Sequence, residues 1–232
     1  MADKIAVLRG RDMKLLSKVF FSALLLAHAA GGFAQDAAAG FPSRPIRIMG
    51  QGQGSTADYL SRFLAQRLQE RWGQAVVVDS RAGAGGTIPT DVVAKSPPDG
   101  HNLVMGHAGP FVSALTLYSK DRQYDPVKDF EPISMVATGV VALVVHPSVP
   151  VSNATRFAGA PEIPSAVEAG IPGMEAKLWF GLFAPAKTPR SVVIKLNREI
   201  GDILRRPETR EQLLAQGAEP TPSSPEELGE WV

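Results

Sequence analysis

The segment IRIMGQGQGSTADYLSRFLAQRL, residues 46–68, decides the fold of this chain. Ile46 to Met49 predict a short strand, and a helix is predicted from Thr56 to Arg71 because apolar residues recur there on one face. The residues on that face are Leu60, Phe63, Leu64 and Leu68. Ser55 stands where a helix-capping residue is favoured. A strand, a glycine-rich loop and a helix in this order form the start of a βαβ unit, and the loop lies where anions bind.

The same unit recurs twice along the chain. Residues 75–78 predict a strand buried on both faces, and the loop RAGAGGT, residues 81–87, follows it. Residues 102–105 predict a third strand, followed by the loop GHAGP, residues 106–110. This alternation predicts an α/β domain with a mainly parallel sheet. Because ligands sit outside the carboxyl ends of parallel strands, we expect the three loops to converge on one crevice.

The second half of the chain carries weaker but similar signals. Further strands are predicted at residues 133–137, 140–145 and 178–183, and helices at 191–205 and 207–216. Pro207 at the start and Gly217 after the end are typical of helix boundaries. These elements extend the α/β pattern towards the carboxyl terminus.

The composition excludes several classes of protein. Hydrophobic residues make up 44% of the chain, charged residues 20%, and the net charge is +1. A nucleic-acid-binding protein is disfavoured because Lys and Arg form no cluster. Cysteine is absent, which removes disulfides and thiolate metal ligands. We find neither the G-x-S-x-G nor the H-E-x-x-H motif and therefore predict no enzyme, no cofactor and no metal site.

The amino terminus resembles an export signal. Lys14 and Lys18 precede an apolar run, residues 19–30, and Gly32-Phe33-Ala34 supplies the small residues that a signal peptidase requires. The run is shorter than the roughly 20 residues of a membrane-spanning helix. We therefore predict a signal peptide at residues 1–34, cleaved after Ala34. Met1 and Met13 are both possible starts.

The first glycine loop supports two interpretations. Gly52 to Ala57 match the dinucleotide-binding pattern G-x-G-x-x-A, and Asp79 ends the second strand where a ribose-binding acid would stand. A nucleotide-dependent oxidoreductase that uses Gly52, Gly54 and Asp79 is thus one alternative. The export signal weighs against it, and the physics of the loop suits any carboxylate. Ser55 is equally explained as a helix cap, and His107 as a solvent-facing loop residue.

Several segments, in order, resemble the Bug-type periplasmic receptors of tripartite tricarboxylate transporters. The matching segments are FPSRPIRI, GSTADYLSRFLAQRL, VVVDSRAGAGGTIPTDVVAKSPPDGHNLVMG, YDPVKDFEPISMVA, VVHPSVPV, APEIPSAVEAGIPGMEAKLWFGLFAPAKTP and REQLLAQGAEP. The resemblance implies a two-lobed clamshell of the type II periplasmic-binding kind. It also implies a monomeric, non-enzymatic receptor that carries a small organic carboxylate to membrane permease subunits in the periplasm.

The resemblance further implies which residues hold the solute, largely through backbone N–H groups and bridging waters. These residues are Gly52, Gln53, Gly54, Ser55, Thr56, Gly85, Gly86, Thr87, His107, Ala108 and Gly109. The first loop departs from the family pattern, because Gly50 to Gln53 stand where proline-rich, aromatic-containing sequence is common. The preferred solute therefore does not follow from the resemblance.

The chain also lacks a segment that the resemblance leads us to expect. Sequence carrying most of the second lobe is missing at a join near residues 150–151, and the last helix is short. We expect residues 35–138 and 179–232 to form the first lobe, and residues 139–178 to be a remnant of the second lobe and the crossing segments. Closure over a solute needs both lobes, so we expect weak binding or none. A non-functional gene fragment is a further alternative.

Overall fold

The computed structural model describes residues 37–117, 123–140 and 177–232. The predicted signal peptide and residues 141–176, which include the predicted join, lie outside the described residues. The chain divides into two compact units, residues 1–39 and 40–232. Of the first unit, only a turn at residues 37–39 is described. The fold described below is that of the second unit.

The second unit alternates strands and helices. The strands are β1 (Ile46–Gly50), β2 (Val76–Ser80), β3 (Asn102–His107), β4 (Phe130–Val140), β5 (Lys177–Pro185) and β6 (Ala218–Pro220). The helices are α1 (Thr56–Trp72), α2 (Thr87–Ala94), α3 (Ala114–Leu117), α4 (Arg190–Leu204), α5 (Pro207–Leu214) and α6 (Pro225–Gly229). A 3₁₀ turn at Ala84–Gly86 precedes α2, and a π turn at Gly109–Ser113 precedes α3.

The strands form one mixed sheet in the order β2-β1-β3-β5-β4-β6. β1 pairs in parallel with β2 and β3, whereas β3 with β5, β5 with β4 and β4 with β6 are antiparallel. The α/β class is confirmed, but the prediction of a mainly parallel sheet is wrong. Parallel strands need a crossover helix between them, and strands alternate with such helices only up to β3.

The second strand corrects a further prediction. Val76 is buried, but Val77 is 53% exposed, so β2 is not buried on both faces as its apolar run predicted. Among the described strands, β2 lies at the edge of the sheet and pairs with β1 alone. Because β-branched residues favour strands, this segment forms a strand although it is not fully buried.

The two faces of the sheet bury separate cores. On one face, α1 and α4 pack on the sheet with an apolar cluster that includes Leu64, Leu103 and Ile200. On the other face, Val104 joins an aromatic cluster with Phe111 and Phe183. Adjacent β3 residues thus point into different cores, as the alternation of side chains along a strand requires.

Local signals in the first βαβ unit are confirmed. The Ser55 hydroxyl accepts a hydrogen bond from the Asp58 amide at 3.1 Å, and Gly73 ends α1 in the left-handed conformation. Both features satisfy backbone groups that the helix ends leave unpaired. The sequence, by contrast, predicts separate strands at residues 133–137 and 140–145, whereas residues 133–140 all belong to the single strand β4. In the part of the chain that the structure describes, each helix is too short or too polar to span a bilayer.

Candidate functional site

The carboxyl ends of β1, β2 and β3 meet around one cavity, as the sequence predicted. The cavity has a volume of about 330 Å³. Its lining residues are Gln51, Gly52, Arg81, Ala82, Gly83, Ala84, Gly85, Gly86 and His107. All three predicted loops or strand ends therefore contribute to a single crevice.

In the first loop, only Gly52 among the predicted site residues lines the cavity. The Ser55 hydroxyl donates to the Gly52 carbonyl at 2.9 Å and caps α1, so it serves the loop itself. Gln53, Gly54 and Thr56 are outside the lining. Their assignment as solute contacts remains a prediction.

The amino-terminal end of α1 already faces a carboxylate from its own first turn. Asp58 is 5% exposed and accepts hydrogen bonds from the Gly54 amide at 3.2 Å, from Arg62 Nε at 3.0 Å and from the Ser80 hydroxyl. Burial alone would raise the pKa of Asp58, but these hydrogen bonds and the Arg62 charge outweigh it and hold the pKa below its ordinary value. Asp58 therefore ties the first loop, through the Gly54 amide, to the end of β2, through the Ser80 hydroxyl.

The second loop supplies most of the cavity wall through its backbone. Gly85 and Gly86 line the cavity, whereas Thr87 begins α2 and donates its hydroxyl hydrogen to the Ala84 carbonyl at 3.0 Å. Gly86 has a φ of +93°, and a Cβ atom there would lie 2.0 Å from Gln51 Oε1. Only glycine permits this approach of the second loop to the end of β1.

Gln51 is a site residue that the sequence analysis missed. It is 6% exposed, and its Nε2 donates to the Met105 carbonyl at 2.8 Å, which ties the end of β1 to β3. Its Oε1 is buried without a partner among the described residues. A polar residue directly after an apolar strand is the sequence signal that identifies such a position.

Arg81 is the second missed residue, and it brings a positive charge to the cavity wall. Its guanidinium pairs with Asp79 at 3.0 Å, and Arg47 lies 4.0 Å from the same carboxylate. Asp79 is thus held by arginines at the edge of the sheet. Because Asp58 occupies the first turn of α1 and Asp79 is paired with arginines, this geometry does not favour the dinucleotide alternative. In that alternative, Asp79 would hold a ribose.

His107 is the last residue of β3 rather than a loop residue, which corrects the sequence interpretation. Its half-buried ring lies 6.1 Å from the Phe180 ring, centroid to centroid. The Gly109 amide donates to His107 Nδ1 at 3.0 Å. Burial lowers the pKa of the His107 imidazole. Of the third predicted group, His107 lines the cavity, whereas Ala108 and Gly109 do not.

The cavity wall is suited to a ligand that accepts hydrogen bonds. Its lining residues include the glycines of the second loop, Arg81 and His107, whose backbone N–H, guanidinium and imidazole groups are hydrogen-bond donors. In the described ranges 37–117, 123–140 and 177–232, no three His, Asp or Glu side chains are grouped to hold a metal ion. The arrangement can bind and orient an anion.

Comparison with known proteins connects this geometry to one family. A model of the tripartite tricarboxylate transporter family receptor matches residues 60–158 and 151–231. A curated relative, a UPF0065 protein of Bordetella bronchiseptica, is 29% identical over 265 aligned positions, which cover 77% of this chain and 78% of that protein.

Solved structures share the fold. R. palustris Rpa4515 with adipate has a TM-score of 0.74 and 24% identity, covering 82% of this chain and 93% of that one. MatC from Rhodopseudomonas palustris with bound malate has a TM-score of 0.65 and 24% identity, covering 77% and 90%. At this identity the likeness establishes the fold, and it confirms the predicted periplasmic-binding architecture.

Proposed function

The chain belongs to the tripartite tricarboxylate transporter receptor family, and from that premise we propose that it binds a small organic carboxylate in the cavity beside β1, β2 and β3. The observation that carries the proposal is the convergence of the three strand ends on one crevice that Arg81, His107 and several glycines line. The bound solute would then be delivered to the membrane permease subunits of the transporter.

The chemistry of the wall matches an ionised carboxylate. A carboxylate only accepts hydrogen bonds, and bonds to an ionised group are stronger than neutral ones. Arg81 contributes a positive charge. Its ion pair with Asp79 offsets that charge, so the net charge of the wall stays low. Adipate and malate in the two structural neighbours are small dicarboxylates, which supports this class of solute.

We further propose that an internal deletion has removed most of the second lobe. Two overlapping matches to the family model, meeting at residues 151–158, support a join near residues 150–151. The alignment with the Bordetella bronchiseptica relative extends over 265 positions although the chain has 232 residues, so that relative contains sequence that this chain lacks. The first lobe would comprise residues 35–138 and 179–232, and residues 139–178 would be the remnant.

The deletion predicts weak binding. The first lobe offers donors on one side of a carboxylate, but the opposing hydrogen bonds and the exclusion of water come from the other lobe. We expect a dissociation constant of about 1 mM, which corresponds to about −4 kcal/mol.

Nuclear magnetic resonance titration of the 232-residue chain with malate and adipate tests both parts of the proposal. We expect amide shifts at Gly52, Gly85 and Gly86 that saturate in the millimolar range. Butane-1,4-diol, putrescine and NADH serve as controls and should leave these amides unchanged. Shifts with NADH but not with dicarboxylates would overturn the carboxylate site, and micromolar affinity for a dicarboxylate would overturn the proposed impairment.

The proposed location has its own test. We propose that the chain is exported to the periplasm and cleaved after Ala34. Fractionation of expressing cells followed by mass spectrometry should find a periplasmic protein that begins at Gln35. An intact amino terminus in the cytoplasmic fraction would contradict export.

A further inference from the structure

We propose that His107 is a specificity-determining residue that meets the solute as a neutral donor, because the Gly109 amide fixes its ring with the proton on Nε2. The anion identity rests on the function proposed above, but the tautomer is a property of the free protein. The tautomer can therefore be tested independently of solute binding.

The tautomer follows from one hydrogen bond. The backbone N–H of Gly109 donates to His107 Nδ1 at 3.0 Å, so Nδ1 must present a lone pair. A neutral imidazole carries its proton on one nitrogen only, which places it on Nε2. In the imidazolium form both ring nitrogens carry a proton, so the Nδ1–H group would face the Gly109 N–H group and no hydrogen bond could form.

The backbone holds this contact in place. A Cβ atom at position 109 would lie 2.5 Å from His107 Cε1 and 3.1 Å from the Gly85 carbonyl oxygen. The ring atoms are the nearest, so a side chain there would displace the ring. Gly109 therefore permits the amide to reach the ring while the β3 end and the second loop remain in contact.

The described neighbours of the ring offer no free carboxylate that would stabilise its protonated form. From the β2 end, the Arg81 guanidinium lines the same cavity, and its partner Asp79 is engaged by Arg81 and Arg47. From β5, the neighbour is the Phe180 ring. From β1, Gln51 is neutral. Among the described residues, no carboxylate hydrogen-bonds to this imidazole.

Nε2 remains available to a ligand. The ring lines the cavity, and among the described residues no hydrogen bond to its Nε2 is present. An Nε2–H group requires an acceptor, so this position selects a carboxylate oxygen or a carbonyl and disfavours an ammonium group. Binding through a neutral donor needs no proton uptake, and affinity should stay constant as the pH rises through neutrality.

The tautomer can be observed directly on the free chain. Long-range ¹H–¹⁵N correlation spectra at about pH 7.5, above the ordinary histidine pKa, should show His107 Nδ1 with the shift of an unprotonated nitrogen and Nε2 with that of a protonated one. Nδ1 protonation, or an imidazolium at this pH, would overturn the inference. In Gly109→Ala, we expect the two nitrogen shifts to move towards the averaged values of a mobile ring, and unchanged shifts would also overturn it.

Two substitutions separate the roles of the two ring nitrogens in solute binding. His107→Asn keeps an acceptor for the Gly109 amide but loses the outer donor, and we expect malate affinity to fall about tenfold or more. His107→Gln carries a donor at the outer position and should lose less. Val77→Thr, at the exposed edge of β2, is the control.

The pH dependence of binding completes the test. Malate affinity of the unsubstituted chain should change less than about twofold between about pH 6.5 and 8.5, because the donor is neutral throughout. Loss of affinity with rising pH, or equal losses in His107→Asn and His107→Gln, would contradict the neutral-donor role. If no carboxylate binds although Nε2 carries the proton, the proposed function fails and the assigned tautomer stands.

Discussion

The parallel and antiparallel halves of the sheet differ in both length and content. In the parallel half, β1, β2 and β3 have five, five and six residues and end together at the cavity. In the antiparallel half, β4 and β5 have eleven and nine residues. The long strands carry Phe130, Trp179 and Phe183, which belong to the aromatic core.

The difference indicates that the residues around the cavity are distinct from those that form the aromatic core. Short parallel strands end at one edge, where glycine-rich loops expose peptide groups. Long antiparallel strands bring large apolar side chains together across both faces. Substitutions in the loops at the ends of the parallel strands should therefore alter binding more than substitutions in the aromatic core, which should mainly alter folding.

Phe183→Ala should have the largest effect. The Phe183 side chain is 1% exposed and stacks on Phe111 with ring centroids 4.2 Å apart. Its removal leaves a cavity in the aromatic core and should lower the free energy of unfolding by about 3–5 kcal/mol. Urea denaturation followed by circular dichroism measures this change. Val77→Ala on the exposed edge is the control, and equal losses in the two variants would refute the assigned core.

Gly86→Ala should damage the cavity. The new Cβ would meet Gln51 Oε1 at 2.0 Å with the backbone at a φ of +93°. Left-handed strain and the contact together should cost about 2–4 kcal/mol and displace the second loop, so carboxylate shifts should disappear. Gly217→Ala is the matched control, because its φ is +73° but nothing lies within 4 Å of the added carbon. Comparable binding losses in both variants would count against the contact.

Asp58→Asn should reveal a pH-dependent contribution to stability. The folded pKa of Asp58 lies below the ordinary value of 3.8, so the ionised carboxylate stabilises the protein above that value. This stability is lost as the pH falls through the folded pKa. We expect a cost of about 1–3 kcal/mol at about pH 7 that shrinks below about pH 4. Urea midpoints at several pH values measure it, and a pH-independent difference would disprove the linkage.

Ser224→Ala should have the smallest effect. Ser224 and Glu227 form a capping box at the start of α6, with bonds of 3.1 Å and 2.8 Å between side chain and backbone. Loss of the cap should cost about 1 kcal/mol. Thermal unfolding should show a small fall in Tm, with exposed Glu230→Ala as the comparison. A fall in Tm as large as that of Phe183→Ala would show that Ser224 contributes more to stability than a helix cap does.

The first βαβ unit was predictable because its signals are local. The Ser55 cap, the Gly73 end of α1 and the apolar face at Leu60 and Leu64 each depend on residues a few positions apart. The convergence of three strand ends also followed, since parallel pairing fixes which ends share an edge. By contrast, the direction of β5 beside β3 depends on a partner in a distant part of the chain, which no local pattern encodes.

Within the candidate site, the backbone was more predictable than the side chains. Glycine spacing identified the loops of Gly52 and Gly86, because positive φ angles have a sequence signature. Gln51 and Arg81 were missed because their roles come from Met105 and Asp79, which reach them only in the folded sheet. His107 was expected in a loop but completes β3, since pairing with Phe180 extends the strand.

The sequence by itself determined the strand–loop–helix order, the helix caps and the glycine-rich loops at the strand ends. Those features arise from backbone preferences and periodicities of a few residues. Only the tertiary structure decided that half the sheet is antiparallel, that β2 is an edge, and that Gln51, Arg81 and His107 share one cavity. These outcomes depend on long-range strand pairing, whose free energy is distributed over contacts between distant segments.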